Sequence, residues 1–271
     1  MRVAAIQMVS SSDVDENLTQ AKFFIEHAAE AKQADIILFP ENFLTFGSVP
    51  DGFSNRQQQI IETLRELARK NNIWLICGTL PLTMTSVQTE KADILKPHAT
   101  CVVIDRLGEV RSHYDKVHLF DAEVNDATGR YSESALYNAG SEIGVFESEW
   151  GTFGLAVCYD LRFPEYFRLL SERGIKAVFV PAAFTYITGR AHWEVLVRAR
   201  AIENQFYLIA ACQGGQHTPT RRTWGGTMVV DPWGDILAKL DEGKGVICVD
   251  VDLSRVDQVR RKMPVLTNRR F

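Results

Sequence analysis

The feature that most constrains this chain is its alternation of short apolar runs with longer amphipathic stretches, cut by proline and glycine. Residues 3–9 read as a strand. Residues 13–32 read as a helix: Asp13 is placed to cap it, Glu16 follows three residues on, and Leu18, Ala21, Phe24, Ile25 and Ala28 recur at helical spacing. Residues 35–39 form an apolar strand stopped by Pro40. Residues 56–70 are again helical and 73–78 again strand-like. Strands and helices in this rhythm pack as layered α/β structure.

The middle of the chain changes character. Residues 99–105 and 109–114, joined at Leu107-Gly108, read as a hairpin. Residues 121–140 are polar and aperiodic, a long loop of the kind that often carries function. Residues 154–158 form a strand running into a helix at 160–173, 176–180 a strand closed by Pro181, and 191–203 a helix. Strands follow at 206–212, 226–230, 236–240 and 246–251, with Asp231-Pro232-Trp233-Gly234 as a turn. The rhythm recurs in both halves without a linker. It predicts a single α/β domain, 1–271, of two packed sheets flanked by helices. Residues 253–271 are expected to be a C-terminal helix and tail, the tail being either a solvated basic arm or a segment for subunit contacts.

Composition removes several function classes. A chain of 271 residues buries enough surface to fold without disulfides or a metal. A net charge of −4 argues against a nucleic-acid binder, which needs clustered Lys and Arg. The apolar run 177–184 is far short of the roughly 20 residues that cross a bilayer, and the N-terminus enters a strand rather than a signal-peptide core. The five cysteines (77, 101, 158, 212 and 248) show no C-x-x-C spacing, so neither a disulfide framework nor a metal site is expected. Reduced thiols in a cytoplasmic protein are the simplest reading.

Three segments place a reactive group where a strand ends. Glu41 follows a buried strand and a proline in Phe39-Pro40-Glu41-Asn42-Phe43. Lys116 ends the hairpin in Tyr114-Asp115-Lys116-Val117-His118. Cys158 stands where a strand gives way to a helix in Val157-Cys158-Tyr159-Asp160-Leu161-Arg162. There a helix dipole and free amides favour the thiolate, as in a nucleophile elbow where the next residue's N–H, here of Tyr159, helps hold an oxyanion. Each residue has a plainer alternative: Cys158 as a buried apolar side chain, Glu41 as a cap, Lys116 as an ion-pair partner. The base for a thiol is open between His118 or His192 and a Glu41 whose pKa burial raises and Lys116 lowers.

Taken in order, with separations of 75 and 42 residues (41 to 116, 116 to 158), these segments resemble the nitrilase superfamily of carbon–nitrogen hydrolases. The resemblance implies a Glu41–Lys116–Cys158 triad, with Glu133 in Tyr131-Ser132-Glu133-Ser134 as a second glutamate that positions base and substrate. It covers nearly the whole chain, and Ala191-His192-Trp193-Glu194, the 231–234 turn and Met263-Pro264-Val265 are most similar to the Nit branch. It implies a four-layer α-β-β-α sandwich, no cofactor and no metal, pairing into a homodimer or larger homo-oligomer, and hydrolysis of a small-molecule amide. Deaminated glutathione is the implied substrate, with the ω-amides α-ketoglutaramate and α-ketosuccinamate, nitriles or N-carbamoyl compounds as alternatives. A carboxylate-bearing substrate needs anchors. Arg162, one helical turn beyond Cys158, is placed to grip one, or else to pair with Asp160 or Glu165. Tyr159, Phe184, Thr185, Thr188 and His192 are candidates for the pocket wall. A papain-like protease with a histidine base and a glycosidase using Glu41 and Glu133 are the competing chemistries, and a binding protein of the same fold would have lost a triad member.

Overall fold

A computed structural model describes residues 1–47, 49–83 and 96–270. The first half runs β1 (Arg2–Gln7), α1 (Val14–Glu30), β2 (Ile36–Leu38), α2 (Phe53–Asn71), β3 (Trp74–Leu82), β4 (His98–Ile104) and β5 (Val110–Asp115). A small hairpin, β6 (Asp121–Glu123) with β7 (Arg130–Ser132), leads to the second half. That half comprises β8 (Gly144–Ser148), β9 (Gly151–Leu155), α3 (Pro164–Glu172), β10 (Ala177–Ala182), α4 (Tyr186–Asn204) and β11 (Tyr207–Cys212). It continues through β12 (Met228–Val230), β13 (Ile236–Lys239), β14 (Gly245–Asp250) and α5 (Ser254–Lys262).

Two six-stranded mixed sheets result, ordered β14-β1-β2-β3-β4-β5 and β13-β12-β11-β10-β9-β8. In each, three central strands are parallel and the outer ones antiparallel. The side-chain period of two sorts the first sheet between two cores. Val3, Ala5, Ile36, Leu38, Trp74, Ile76, Cys101 and Val103 face the second sheet, where Phe146, Phe153 and Phe179 interlock. The residues between them, Ala4, Ile6, Ile37, Leu75, Cys77, Val102 and Ile104, pack under α1 and α2. With α3 and α4 covering the second sheet, the layers run helix, sheet, sheet, helix. This is the expected sandwich.

Most expected elements form within a few residues of their sequence bounds. Asp13 caps α1, its Oδ1 accepting from the amides of Asp15 and Glu16 at 2.9 and 3.0 Å. Glu16 does not return the favour to the cap; its carboxylate takes the Ser11 hydroxyl instead, at 2.8 Å. Four expectations need correction. The 121–140 segment is not all loop, since it holds the β6–β7 hairpin and a 3-10 turn at Glu133–Ala135. Strand β8 escaped notice because its five residues, GVFES, carry only two apolar side chains. The strand expected at 154–158 ends at Leu155, and a 3-10 turn, Cys158–Arg162, separates it from α3. Pro164 explains that break, because its ring drives Phe163 out of helical conformation, to φ −111° and ψ 89°. Finally, Pro181 does not close its strand. It sits inside β10 opposite Ala211, beyond Phe179, where pairing with β9 stops and no ladder bond from its nitrogen is missed.

The C-terminal helix is docked on its own chain. Val256 and Val259 are buried, Lys176 pairs with Asp257 at 2.7 Å, and Arg260 donates to the Ile175 carbonyl at 2.9 Å. The residues that follow are mostly exposed as far as Arg270, and Phe271 lies outside the described residues.

Candidate active site

The site lies at the ends of β2, β5 and β9, and each key side chain is placed by a tight backbone contact. After β2 the chain turns at Asn42, which takes the left-handed region at φ +55°. The turn is pinned by the Thr79 hydroxyl, 2.8 Å from the Asn42 amide, and by Gln213, whose side-chain amide donates to the Glu41 carbonyl at 3.1 Å. Gly78 allows it: a Cβ there would lie 2.0 Å from the Pro40 carbonyl oxygen. Lys116 extends β5, its amide donating to Ala99 at 3.0 Å, while its carbonyl accepts from Gly140 at 2.9 Å. A Cβ on Gly140 would meet the Asp115 carbonyl oxygen at 2.2 Å.

Those contacts bring three charged groups together in the interior. The Lys116 ammonium, 1% exposed, donates to Glu41 Oε1 at 2.7 Å and to both Glu133 oxygens at 3.0 and 2.7 Å. Glu133 Oε2 also accepts the Phe120 amide at 2.6 Å. Burial pulls the lysine pKa down, but the Glu133 and Glu41 carboxylates outweigh it and hold the ammonium charged, well above its usual range. Glu41 moves the other way from an ordinary carboxylate. Burial raises its pKa, the Lys116 charge opposes that, Glu133 adds to it, and the net shift is upward.

Cys158 joins this cluster on the wall of a cavity of about 180 Å³ that Glu41, Lys116 and Glu133 also line. Its φ of +47° is a left-handed turn that projects the thiol from the elbow. The thiol and the Glu41 carboxylate share that wall. Here the helix-dipole expectation fails. Cys158 opens a 3-10 turn, not α3, and burial followed by the Glu41 charge pushes its pKa well above 9.0, against the pull of Lys116. The resting group is a thiol beside a base, not a standing thiolate.

A buried carboxylate braces the elbow from behind. Asp160 accepts the Val157 amide at 2.6 Å, the Tyr114 hydroxyl at 2.8 Å and the His118 amide at 3.2 Å, and its Oδ1 lies 2.7 Å from His118 Nδ1. His118 stacks on Phe163 at 3.7 Å between ring centroids. Neither His118 nor His192 lines the cavities at Cys158, so the histidine base drops out. Arg162 does not pair with Asp160 or Glu165. It lies over the rings of Phe184 and Tyr159 at 5.2 and 5.8 Å and 3.2 Å from His192 Nδ1. With Tyr159, Phe184, Thr185 and Thr188 it lines a second, smaller cavity of about 20 Å³ that also reaches Cys158. His192 lies outside that lining and supports Arg162 from the exposed side. Thr185 doubles as the N-cap of α4.

Sequence reasoning missed the brace formed by Asp160 and Tyr114, and it missed Arg130, Tyr137 and Arg221 on the larger cavity. In sequence Asp160 offers only an ion pair, and Arg221 stands in a polar stretch, Thr218-Pro219-Thr220-Arg221-Arg222, with nothing to separate it from its neighbour. Among the described residues no group of His, Cys, Asp and Glu side chains is arranged to hold a metal. No helix among them is long and apolar enough to cross a membrane.

Comparison with known proteins gives the family. The family model described as carbon-nitrogen hydrolase matches residues 2–261. The chain is 37% identical to a deaminated glutathione amidase of Yersinia enterocolitica, over 99% of this chain and 93% of the relative. It is 33% identical to the human omega-amidase NIT2, over 99% of this chain and 95% of that one. The crystal structure of Saccharomyces cerevisiae Nit3, a member of branch 10 of the nitrilase superfamily, superposes with a TM-score of 0.85 at 30% identity, over 100% of this chain and 97% of that one.

Proposed function

This chain belongs to the carbon–nitrogen hydrolase family, and from that premise we propose that it is a thiol amidase cleaving deaminated glutathione to 2-oxoglutarate and cysteinylglycine. The observation that carries the chemistry is the Lys116 ammonium held by hydrogen bonds between Glu41 and Glu133, with Cys158 on the same cavity wall. The substrate rests on the name of the Yersinia relative and on the cationic walls of both cavities.

Glu41 takes the Cys158 proton as the sulfur attacks the amide carbonyl. The carbon–sulfur bond forms, and the carbonyl oxygen becomes an oxyanion. Lys116 stabilises that charge together with the Tyr159 N–H, which stands at the start of the 3-10 turn where helical amides have no partner of their own. Protonated Glu41 then gives its proton to the amide nitrogen, the carbon–nitrogen bond breaks, and an acyl thioester remains. Glu41 next deprotonates a water molecule that attacks the thioester. The acid leaves, and the proton returns to sulfur. Glu133 keeps Lys116 charged and aimed throughout. A Glu41 pKa raised by burial suits a group that must both accept and return a proton near neutral pH. Arg162, in the smaller cavity, anchors the acyl half of the substrate.

An ω-amidase acting on α-ketoglutaramate is the second reading, favoured by the human relative's name and by the same acyl anchor. A hydrolysis screen separates the two, comparing deaminated glutathione, α-ketoglutaramate, α-ketosuccinamate, free glutamine and a simple nitrile. The account expects the highest kcat/KM with deaminated glutathione. A preference for either ω-amide moves the assignment to the second reading, and nitrile turnover alone removes both.

We also infer one hydrolase domain, a cytoplasmic setting in keeping with five free cysteines, and a homo-oligomer formed through the helical layer of the second sheet. Val195 and Ile202 of α4 are exposed there, as is Trp233, next to the Gly234 that Ile202 approaches.

A further inference from the structure

We propose that Arg221 recognises a carboxylate on the leaving-group side of the scissile amide, so that the site prefers peptide-like amides ending in a carboxylate to primary amides. This rests on Glu41, Lys116 and Cys158 being the hydrolytic centre, and it concerns which half of the substrate occupies which cavity.

Cys158 borders both cavities, so the scissile carbonyl sits where they meet. Glu41, which hands its proton to the departing nitrogen, lines the larger and not the smaller. Proton transfer requires the nitrogen within hydrogen-bond reach of that carboxylate. The amine half therefore extends into the larger cavity, and the acyl half extends the other way, toward Arg162.

On the larger cavity the Arg221 guanidinium has no acidic partner among the described residues. Its guanidinium lies 4.4 Å from the Tyr131 ring centroid and 5.5 Å from that of Phe46, and among the described residues it forms no ion pair. Its Nε is buried with no hydrogen-bond acceptor. A guanidinium with no acceptor for its N–H groups is uncommon in native proteins, and a carboxylate bound in the cavity supplies one to the terminal nitrogens, Nε itself being closed off. The neighbouring Arg222 is the contrast: it pairs with both oxygens of Glu242 at 3.0 and 2.6 Å.

The surroundings hold Arg221 in place without neutralising it. Phe46 stacks on its other neighbour, His217, at 3.7 Å, and that ring is fixed by contacts of 2.7 Å to the Ser10 carbonyl and to the Thr223 hydroxyl. Burial lowers the His217 pKa to about 4, so the stack carries one positive charge at neutral pH, that of Arg221. Arg130 adds a second positive charge on the same cavity wall. Tyr131 lies two residues before Glu133, and Phe46 follows the Glu41 turn. The rings that seat Arg221 thus belong to the two segments that seat the catalytic carboxylates. A carboxylate bound at Arg221 would have a fixed position relative to Glu41. Ammonia, the leaving group of a primary amide, would leave Arg221 unused.

The test compares wild type with Arg221→Gln on three substrates sharing the 2-oxoglutaryl group: deaminated glutathione, its C-terminal carboxamide and α-ketoglutaramate. Wild type should prefer deaminated glutathione to the carboxamide by roughly 10- to 100-fold in kcat/KM, the span expected for a hydrogen bond to a charged group. In Arg221→Gln that preference should fall to near one, chiefly through KM. The loss on deaminated glutathione should be at least ten times the loss on α-ketoglutaramate, and Arg221→Lys should recover part of it. Equal losses on all three substrates, or a wild type indifferent to the terminal carboxylate, overturn the proposal while leaving the amidase standing. A wild type that cleaves none of the three overturns the amidase reading and this one with it.

Discussion

At the scale of single residues, the site is a problem in placing three charges where water is scarce. Two carboxylates share one ammonium, so the cluster carries net negative charge, and Glu41, the more deeply buried carboxylate, is held above its usual pKa. The sign of the resulting pH dependence follows. The proposed mechanism needs Glu41 ionised, so activity should be lost as pH falls through a value above the ordinary 4.5. Glu133→Gln removes a negative neighbour that raises the Glu41 pKa. The acid limb of kcat/KM should therefore move to lower pH as the maximum rate drops, and a limb that stays put or moves up contradicts the account. Glu41, Lys116 and Cys158 were legible in the sequence because each follows a strand end in a distinctive run of neighbours. The thiol's ionisation was not, since it depends on burial and on the Glu41 charge rather than on the strand-to-helix position. Arg221 was illegible for a similar reason. Two adjacent arginines look alike in sequence, and only the fold pairs one with Glu242 and leaves the other on the cavity wall.

At the scale of elements, strand ends and two glycines set the distances among the proposed catalytic groups. The strand–helix rhythm could be read because apolar period and proline placement are local signals. The break before α3 was also written in the sequence, in Phe163-Pro164, although periodicity alone ran a helix straight through it. The close approach of β3 to the Glu41 turn had no such signal, since it joins residues far apart in the chain. Gly78→Ala should therefore shift Pro40 and Glu41. A Cβ there lies 2.0 Å from backbone oxygen in a left-handed conformation of φ +36°. A fall in kcat/KM of tenfold or more is expected in protein that remains folded by circular dichroism, with a stability loss of roughly 1–3 kcal/mol. Wild-type activity in that variant would show that the turn does not set the position of the base.

At the scale of the whole molecule, two sheets share one aromatic core, and the proposed reacting groups gather at one end of it, drawn from both. Glu41 and Lys116 come from the first sheet, Cys158 from the second, and Glu133 from the connection between them. No half of the chain contains a complete site, which is why the fold class could be read from either half but the site only from the whole. The outer face of α4 presents Val195, 67% exposed, beside other apolar side chains. We propose this face as the subunit contact of a homo-oligomer, so Val195→Asp should lower the molar mass measured by light scattering while the far-ultraviolet spectrum is kept. An unchanged mass would exclude this face as the subunit contact.

In the proposed mechanism the Cys158 sulfur carries the acyl half of the substrate between two proton transfers by Glu41. Acid-quenching the enzyme during turnover of deaminated glutathione and mapping its peptides by mass spectrometry tests this directly. A 2-oxoglutaryl adduct is expected on the peptide containing Cys158, and neither adduct nor turnover in Cys158→Ala. Undiminished hydrolysis by folded Cys158→Ala, or an acyl group found on another residue, would contradict it.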